Sequence, residues 1–281
     1  MGLATLVVGT APSSLGGDVP EPPSDPGALV LQLHLWESLT GPVKRAELPE
    51  FSLYGGGRVI VGAGWEGLLH RGREFVLEPA AYRRIYRLAH TAGIARDRHL
   101  PEPGVSTDGT LLVADLRSGG RLHTTTAVSL GRGFETGARR WLIELRKLVQ
   151  REVRRHLGPA PGVQRHGGPA HSGHRHGITP AVIADYRPDR VAVLATGGFT
   201  TAPPERRWPY GDPLAGTHTV LGLCTVHSGA EVASIETLAR TSPRDAGWLH
   251  DRGRTGGLTV LVRPLLPGER GCADLGYPER G

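Results

Sequence analysis

The sequence predicts an α+β fold, antiparallel sheets built of hairpins with helices packed on one face. Three observations carry this. Short stretches alternate apolar and polar residues with a period of two. Glycine clusters separate neighbouring stretches in the manner of hairpin turns. Two longer segments with a helical apolar stripe follow the first two hairpins. The chain of 281 residues, 38% of them apolar, has material for one large or two modest domains. Its 41 glycines and 23 prolines show no G-X-Y period, which excludes collagen and implies long loops.

Residues 1–26 come first, a short apolar stretch from Gly2 to Gly9 followed by a Pro- and acid-rich tail. A secretory signal needs a basic n-region, which is missing here, so the segment reads as a residual signal or a disordered tail, with order starting near Gly27. An N-terminal α+β part follows over 27–157. In Ala28–Trp36, Leu29, Leu31, Leu33 and Leu35 alternate with Val30, Gln32 and His34, which is a half-buried strand. Phe51–Tyr54 and Arg58–Val61 flank Gly55-Gly56-Gly57 as a hairpin, since glycine takes positive φ without steric cost. The first helix starts at Pro79, presents Tyr82, Ile85, Leu88 and Ala89 on one face, and stops at Gly93. The pattern then recurs. Thr110–Asp115 and Arg121–Ala127 close over Ser118-Gly119-Gly120, and a second helix spans Gly137–Leu157 with a stripe of Leu142, Leu145, Val149 and Val153.

Residues 158–187 are rich in Gly, Pro and His without apolar periodicity and read as a linker. The C-terminal α+β part, 188–281, opens on buried strands at Arg190–Thr196 and Thr219–Val226. Ser228 and Glu231 have capping-box spacing ahead of a helix whose Val232, Ile235, Leu238 and Ala239 face inward. Leu258–Arg263 is the last strand, stopped by Pro264.

Net charge is +6, which prompts a search for a polyanion partner. Yet only Lys44 and Lys147 are lysines and asparagine is absent, the bias of a GC-rich coding sequence. The charge reads as spread and lacks interleaved aromatics, so nucleic acid is not the expected partner. The Arg-rich helix 137–157 has the charge to lie on anionic lipid. Its apolar stripe is claimed by the sheet, which favours a solvated arginine face. No apolar run approaches the length of a membrane-spanning helix.

Few motifs carry chemistry. Gly62-Ala-Gly64-Trp-Glu-Gly67 matches G-x-G-x-x-G after a strand, but no helix follows and no acid sits at the ribose distance, so a nucleotide site is rejected and no cofactor is expected. His166, His171, His174 and His176 have the spacing to wrap a divalent metal. They lie in low-complexity sequence without nearby carboxylates, which points to adventitious binding. Hydrolase signatures such as G-x-S-x-G and H-E-x-x-H are absent. Cys224 and Cys272 are the two cysteines. If strands 219–226 and 258–263 are neighbours the sulfurs come close, and closing that loop is worth about 4 kcal/mol on the chain-entropy model. Two separate buried thiols are the alternative.

PEFSLYGGGRVI (49–60), the segment from Trp208 to Leu214, and RPLLPGERGC (263–272) resemble an uncharacterised group of actinobacterial secreted proteins and lipoproteins. The resemblance spans most of residues 28–272. It implies an extracytoplasmic setting and an oxidised Cys224–Cys272 pair, and it brings no catalytic residues with it. The expected function is an exported protein of the bacterial cell envelope that binds a small ligand or an envelope protein. The alternatives are a cytoplasmic setting and a hydrolase-like enzyme whose residues converge only in the fold. Exposed Trp36, Tyr54, Trp208 or Trp248 would mark a binding face, and a cavity of converging His, Asp and Arg would mark an enzyme.

Overall fold

The computed structural model describes residues 19–37, 46–101, 110–131, 135–158, 183–197, 206–219, 221–249 and 258–275. Strands β1 (Leu29–Glu37), β2 (Phe51–Tyr54), β3 (Arg58–Glu66) and β4 (Leu69–Val76) lead into helix α1 (Pro79–Thr91). Next come β5 (Arg98–Leu100), β6 (Thr110–Ser118), β7 (Arg121–Val128) and helix α2 (Gly137–Leu157). The later chain gives β8 (Ala184–Asp185), β9 (Arg190–Gly197), β10 (Arg206–Arg207), β11 (Thr217–Thr219) and β12 (Gly222–Ser228). Helix α3 (Ala230–Thr241), β13 (Trp248–Leu249) and β14 (Leu258–Pro264) complete the regular elements.

The strands form one sheet, with main order β11-β12-β9-β14-β4-β3-β2-β1-β6-β7-β5. The α+β class holds, but the sheet is mixed rather than purely antiparallel. Hairpin neighbours pair antiparallel, whereas β14–β4, β5–β7 and β10–β13 pair parallel. The β14–β4 contact, Val262 against Leu69, joins the strands of 27–157 to those of 188–281. Chain returning from a distant segment has no hairpin to set its direction, so these pairings were invisible to local pattern.

Strand alternation explains the layers. Leu31 and Leu33 of β1 pack with Tyr82, Ile85 and Tyr86 of α1 and Leu142, Leu145 and Val149 of α2. On the C-terminal half, Val191, Val193, Val260 and Val262 pack with Val232, Ile235 and Ala239 of α3. Strand β4 places Leu69 in the second cluster and Phe75 in the first, six residues apart and therefore on one face. All three helices thus cover the same side of the sheet. The other side is covered by irregular chain: Leu48, Tyr186 and Leu266 over Tyr54 and Ile60, and Ala46, Leu265 and Leu275 over Ala192, Leu194 and Leu261.

Several local expectations need correction. The strand expected over 219–226 is present from Gly222 (φ 113°) as β12, while Thr219 belongs to β11, which pairs antiparallel with it. The expected capping box does not form. Gly229 at φ 67° is the N-cap of α3, and Glu231 instead meets His227 Nδ1 at 2.9 Å. Just ahead of Gly27, the Pro23 carbonyl accepts from the Tyr82 hydroxyl and Asp25 lies over Gly55. The G-x-G-x-x-G segment is strand β3 and its turn, with no helix opening there. Gly67 (φ 58°) is required because a Cβ there would lie 2.4 Å from the Ala239 carbonyl oxygen.

Candidate functional site

On the side of the sheet away from the helices, β1 turns Gln32, His34 and Trp36 outward, the alternates of Leu31 and Leu33. The register sets Asp115 of β6 opposite Gln32 and Thr124 of β7 opposite Asp115, giving one polar row across three strands. With Val113 they floor a cavity of about 200 Å³. Glu47 and Pro49 form one wall, and Arg263, Glu269, Asp274 and Leu275 form the other.

Apart from Arg263 of β14, that second wall is the C-terminal segment, residues 264–275, which folds back over the sheet after Pro264. Four ties hold it. The Tyr186 hydroxyl donates to the Leu265 carbonyl at 2.6 Å. Arg190 donates to the carbonyls of Glu269 and Arg270, each at 2.9 Å. Arg263 makes a two-pronged pair with Glu269, at 2.7 and 2.8 Å. Cys224 and Cys272 are joined, with a Cα–Cα distance of 5.9 Å. The pairing agrees with the expectation, but its geometric premise does not. Strand β9 lies between β12 and β14, and the sulfurs meet because the segment crosses back to the Cys224 side.

The polar groups already have assigned work. Gln32 Nε2 donates to Ser52 Oγ at 3.1 Å, and Thr124 Oγ1 donates to Asp115 Oδ1 at 2.6 Å. Trp65 Nε1 donates to Glu47 Oε1 at 3.2 Å. Asp274 Oδ2 accepts the backbone N–H groups of Arg270 and Gly271. Burial pushes the Asp115 carboxyl up, with the Thr124 hydrogen bond opposing and Asp97 adding to the rise. Burial lowers His34 to about 3, and the nearby Arg263 and His70 push the same way. His34 is therefore a neutral imidazole, stacked on Trp36 with ring centroids 4.2 Å apart. His70, on the same side of the sheet, is likewise lowered to about 3 by burial, then Arg263 and Arg244. Its Nδ1 accepts the Leu48 N–H at 3.3 Å.

Among the described residues that line the cavity, the one cation, Arg263, is consumed by Glu269. What remains for a ligand is acceptor-rich: Asp115, Glu47 and Asp274, beside a neutral imidazole and an indole. Such a lining repels anions and receives hydrogen-bond donors. No group of three or more His, Cys, Asp or Glu side chains is placed to hold a metal among the described residues. A second hollow of about 760 Å³, wide open to solvent, lies beside the disulfide along Gly216, Thr217, Thr225 and Arg270. Most of its lining residues are small, and Arg270 and Asp274 are the charged ones among them.

His166, His171, His174 and His176 lie outside the described residues. Trp36, Tyr54, Trp208 and Trp248 are all buried, so the aromatic binding face considered from the sequence is not formed by them. Sequence reasoning missed that Asp115, Glu47 and Arg263 line one cavity with His34, because strand register and a returning segment bring them together. The signal that was present is the alternation in β1, which set Gln32 and His34 on the side opposite the leucines. No family model, curated protein or solved structure matches the chain. The fold and site therefore define the class: a mixed-sheet α+β protein, helices on one face, with a small acidic cavity walled by a disulfide-tied segment on the other.

Proposed function

We propose that the protein is an exported ligand-binding protein of the bacterial cell envelope, and that its ligand is a small hydrogen-bond donor, a polyol or amine, held in the cavity under residues 264–275. One observation carries this reading, the convergence on one cavity of three carboxylates, each with acceptor capacity beyond its present bonds, while the one cation among the described lining residues is already paired. The volume, about 200 Å³, lies below the usual range of pockets for drug-sized ligands and suits a monosaccharide-sized molecule. The disulfide supports an oxidising compartment, where such pairs persist. Among the described residues no helix is long and apolar enough to cross a membrane.

A second reading, hydrolysis, is favoured by the raised carboxyl of Asp115 in a cavity that Glu47 and Asp274 also line, since carboxyl groups of different protonation do acid–base work. Binding is preferred because His34 is too weak a base at neutral pH to activate a hydroxyl. Ligand-observed NMR on the full chain, with polyols, amino sugars, alkyl amines and matched carboxylates and phosphates, tests both readings. The expected hits are donors, weakened at least tenfold by Asp115→Asn and recovered chemically unchanged. Hits confined to anions, or indifferent to Asp115→Asn, would overturn the site, and converted hits would replace binding with hydrolysis.

A further inference from the structure

The basic charge is not spread along the chain. Helices α1 and α2 contain ten of the 33 lysines and arginines but two of the 27 acids. Their 34 residues carry a net charge of +8, which leaves the other 247 residues at −2. A coding bias toward arginine does not concentrate cations this way while removing acids from the same segments.

The helical period then sorts these charges. The apolar stripes of α1 and α2 face the sheet, so Arg83, Arg84, Arg87, Arg140, Lys147, Arg151, Arg154 and Arg155 are exposed on the outside of the layer. The two acids hardly offset them. Glu152 is buried beneath Arg84 and Arg155, with both guanidinium groups on its carboxylate. Glu144 is paired with Lys147 at 3.0 Å. The Arg84–Glu152 pair also ties α1 to α2, so the cations sit on one joined platform. Trp141, next to Arg140, is 42% exposed on the same helix.

We infer that this platform docks on an anionic lipid surface. Two adjacent helices present a broad cationic face, and each cation near such a surface adds about 1 kcal/mol of attraction, about fivefold in partitioning. Duplex DNA would meet the same charge, but both helices lie packed along the sheet by their apolar stripes, and the exposed Trp141 suits the headgroup level. Because the apolar stripes are spent in the core, the contact is electrostatic and shallow. The cavity lies on the opposite side of the sheet and faces away from the lipid. This inference does not rest on the ligand-binding reading.

The test is co-sedimentation of the full chain with vesicles of phosphatidylcholine alone and of phosphatidylcholine with about one part in three phosphatidylglycerol. Binding is expected only to the second, and it should be lost between about 0.05 M and about 0.5 M salt. Arg83→Gln, Arg87→Gln, Arg151→Gln and Arg154→Gln together should weaken it by about several hundredfold. These four side chains make no hydrogen bond or ion pair with a described residue, so melting should stay unchanged. A control carrying Arg121→Gln, Arg187→Gln, Arg206→Gln and Arg270→Gln removes the same charge from elsewhere on the surface. Equal binding to both vesicles, an equal loss in the control, or tighter binding to duplex DNA at matched salt would overturn the lipid assignment. The NMR hits of the cavity should survive the helix variant, which keeps the two tests separate.

Discussion

The two faces of the sheet are built by different means. Under the helices, packing comes from elements whose periodicity is local, with Ile85, Tyr86, Leu142 and Leu145 arriving on preformed amphipathic surfaces. On the cavity side, the cover is irregular chain from residues 46–49, 186 and 264–275, held by named hydrogen bonds, one buried ion pair and one covalent bond. The first arrangement tolerates the loss of a contact because many share the burden. The second concentrates its stability in a few ties, which is where a site with unspent polar groups can be afforded.

The largest expected effect probes that concentration. Cys224→Ala with Cys272→Ala should cost about 4 kcal/mol on the chain-entropy model, since the bridge closes a separation of 48 residues. The damage should also be local. Hydrogen exchange is expected to rise first over residues 264–275 and least over α1 and α2. Uniform loss of protection across both faces would show that the segment is not held chiefly by its ties.

Ile85→Ala gives the opposing measurement. Ile85 is fully buried between α1 and the sheet, so the transfer and cavity terms together should cost about 3 kcal/mol in chemical denaturation. Here the exchange pattern should be global, and the disulfide-tied segment should open no earlier than the helices. Selective opening of residues 264–275 in this variant would erase the distinction between the faces.

Acid sharpens the comparison further. His34 and His70, both on the cavity side, fall from the ordinary 6.5 to about 3 in the folded chain, through burial first and the charge of Arg263 next. Between those values the unfolded chain binds more protons than the folded one, so stability falls as pH falls from 6.5 toward 3. At pH 5 the loss is about 2 kcal/mol for each histidine. His34→Gln, which cannot titrate, should remove about half of that slope between pH 7 and 5 in parallel urea titrations. An unchanged slope would mean that His34 takes up its proton freely.

How much of this was legible follows the same division. The helix limits, the β1 alternation and the Gly119-Gly120 turn, both residues at positive φ, come from neighbours in sequence. The cavity depends on Gln32 meeting Asp115, 83 positions away, and on Arg263 meeting Glu269 after a turn no periodicity signals. The disulfide was foreseen through an adjacency that does not exist, because composition and the resemblance pointed to the pair while strand order was inaccessible. Strand β4 carries little local signal, since Leu69, Arg71 and Arg73 set one apolar and two charged residues on a single face. That strand, pairing with β14, is what unites the two halves.

The smallest effect is the most diagnostic of what the cavity is for. Burial raises the Asp115 carboxyl, so its ionised form is a net cost to the folded state. Asp115→Asn keeps the size and the oxygen that accepts from Thr124, and it removes the charge. Stability should therefore change by less than about 1 kcal/mol, and in the direction of gain. The sign has a pH signature. The folded carboxyl titrates above its unfolded value, so wild type loses stability as pH rises through that window, while the variant does not. The gap between the two melting temperatures should open on going from pH 4 to 7. A carboxylate that costs stability yet sits with unspent acceptor capacity beside His34 and Glu47 is the trade expected of a ligand site, where polar groups are retained against the preference of the fold. A variant less stable than wild type at pH 7 would instead make Asp115 a structural tie of the β1–β6–β7 row, and would remove it from the ligand.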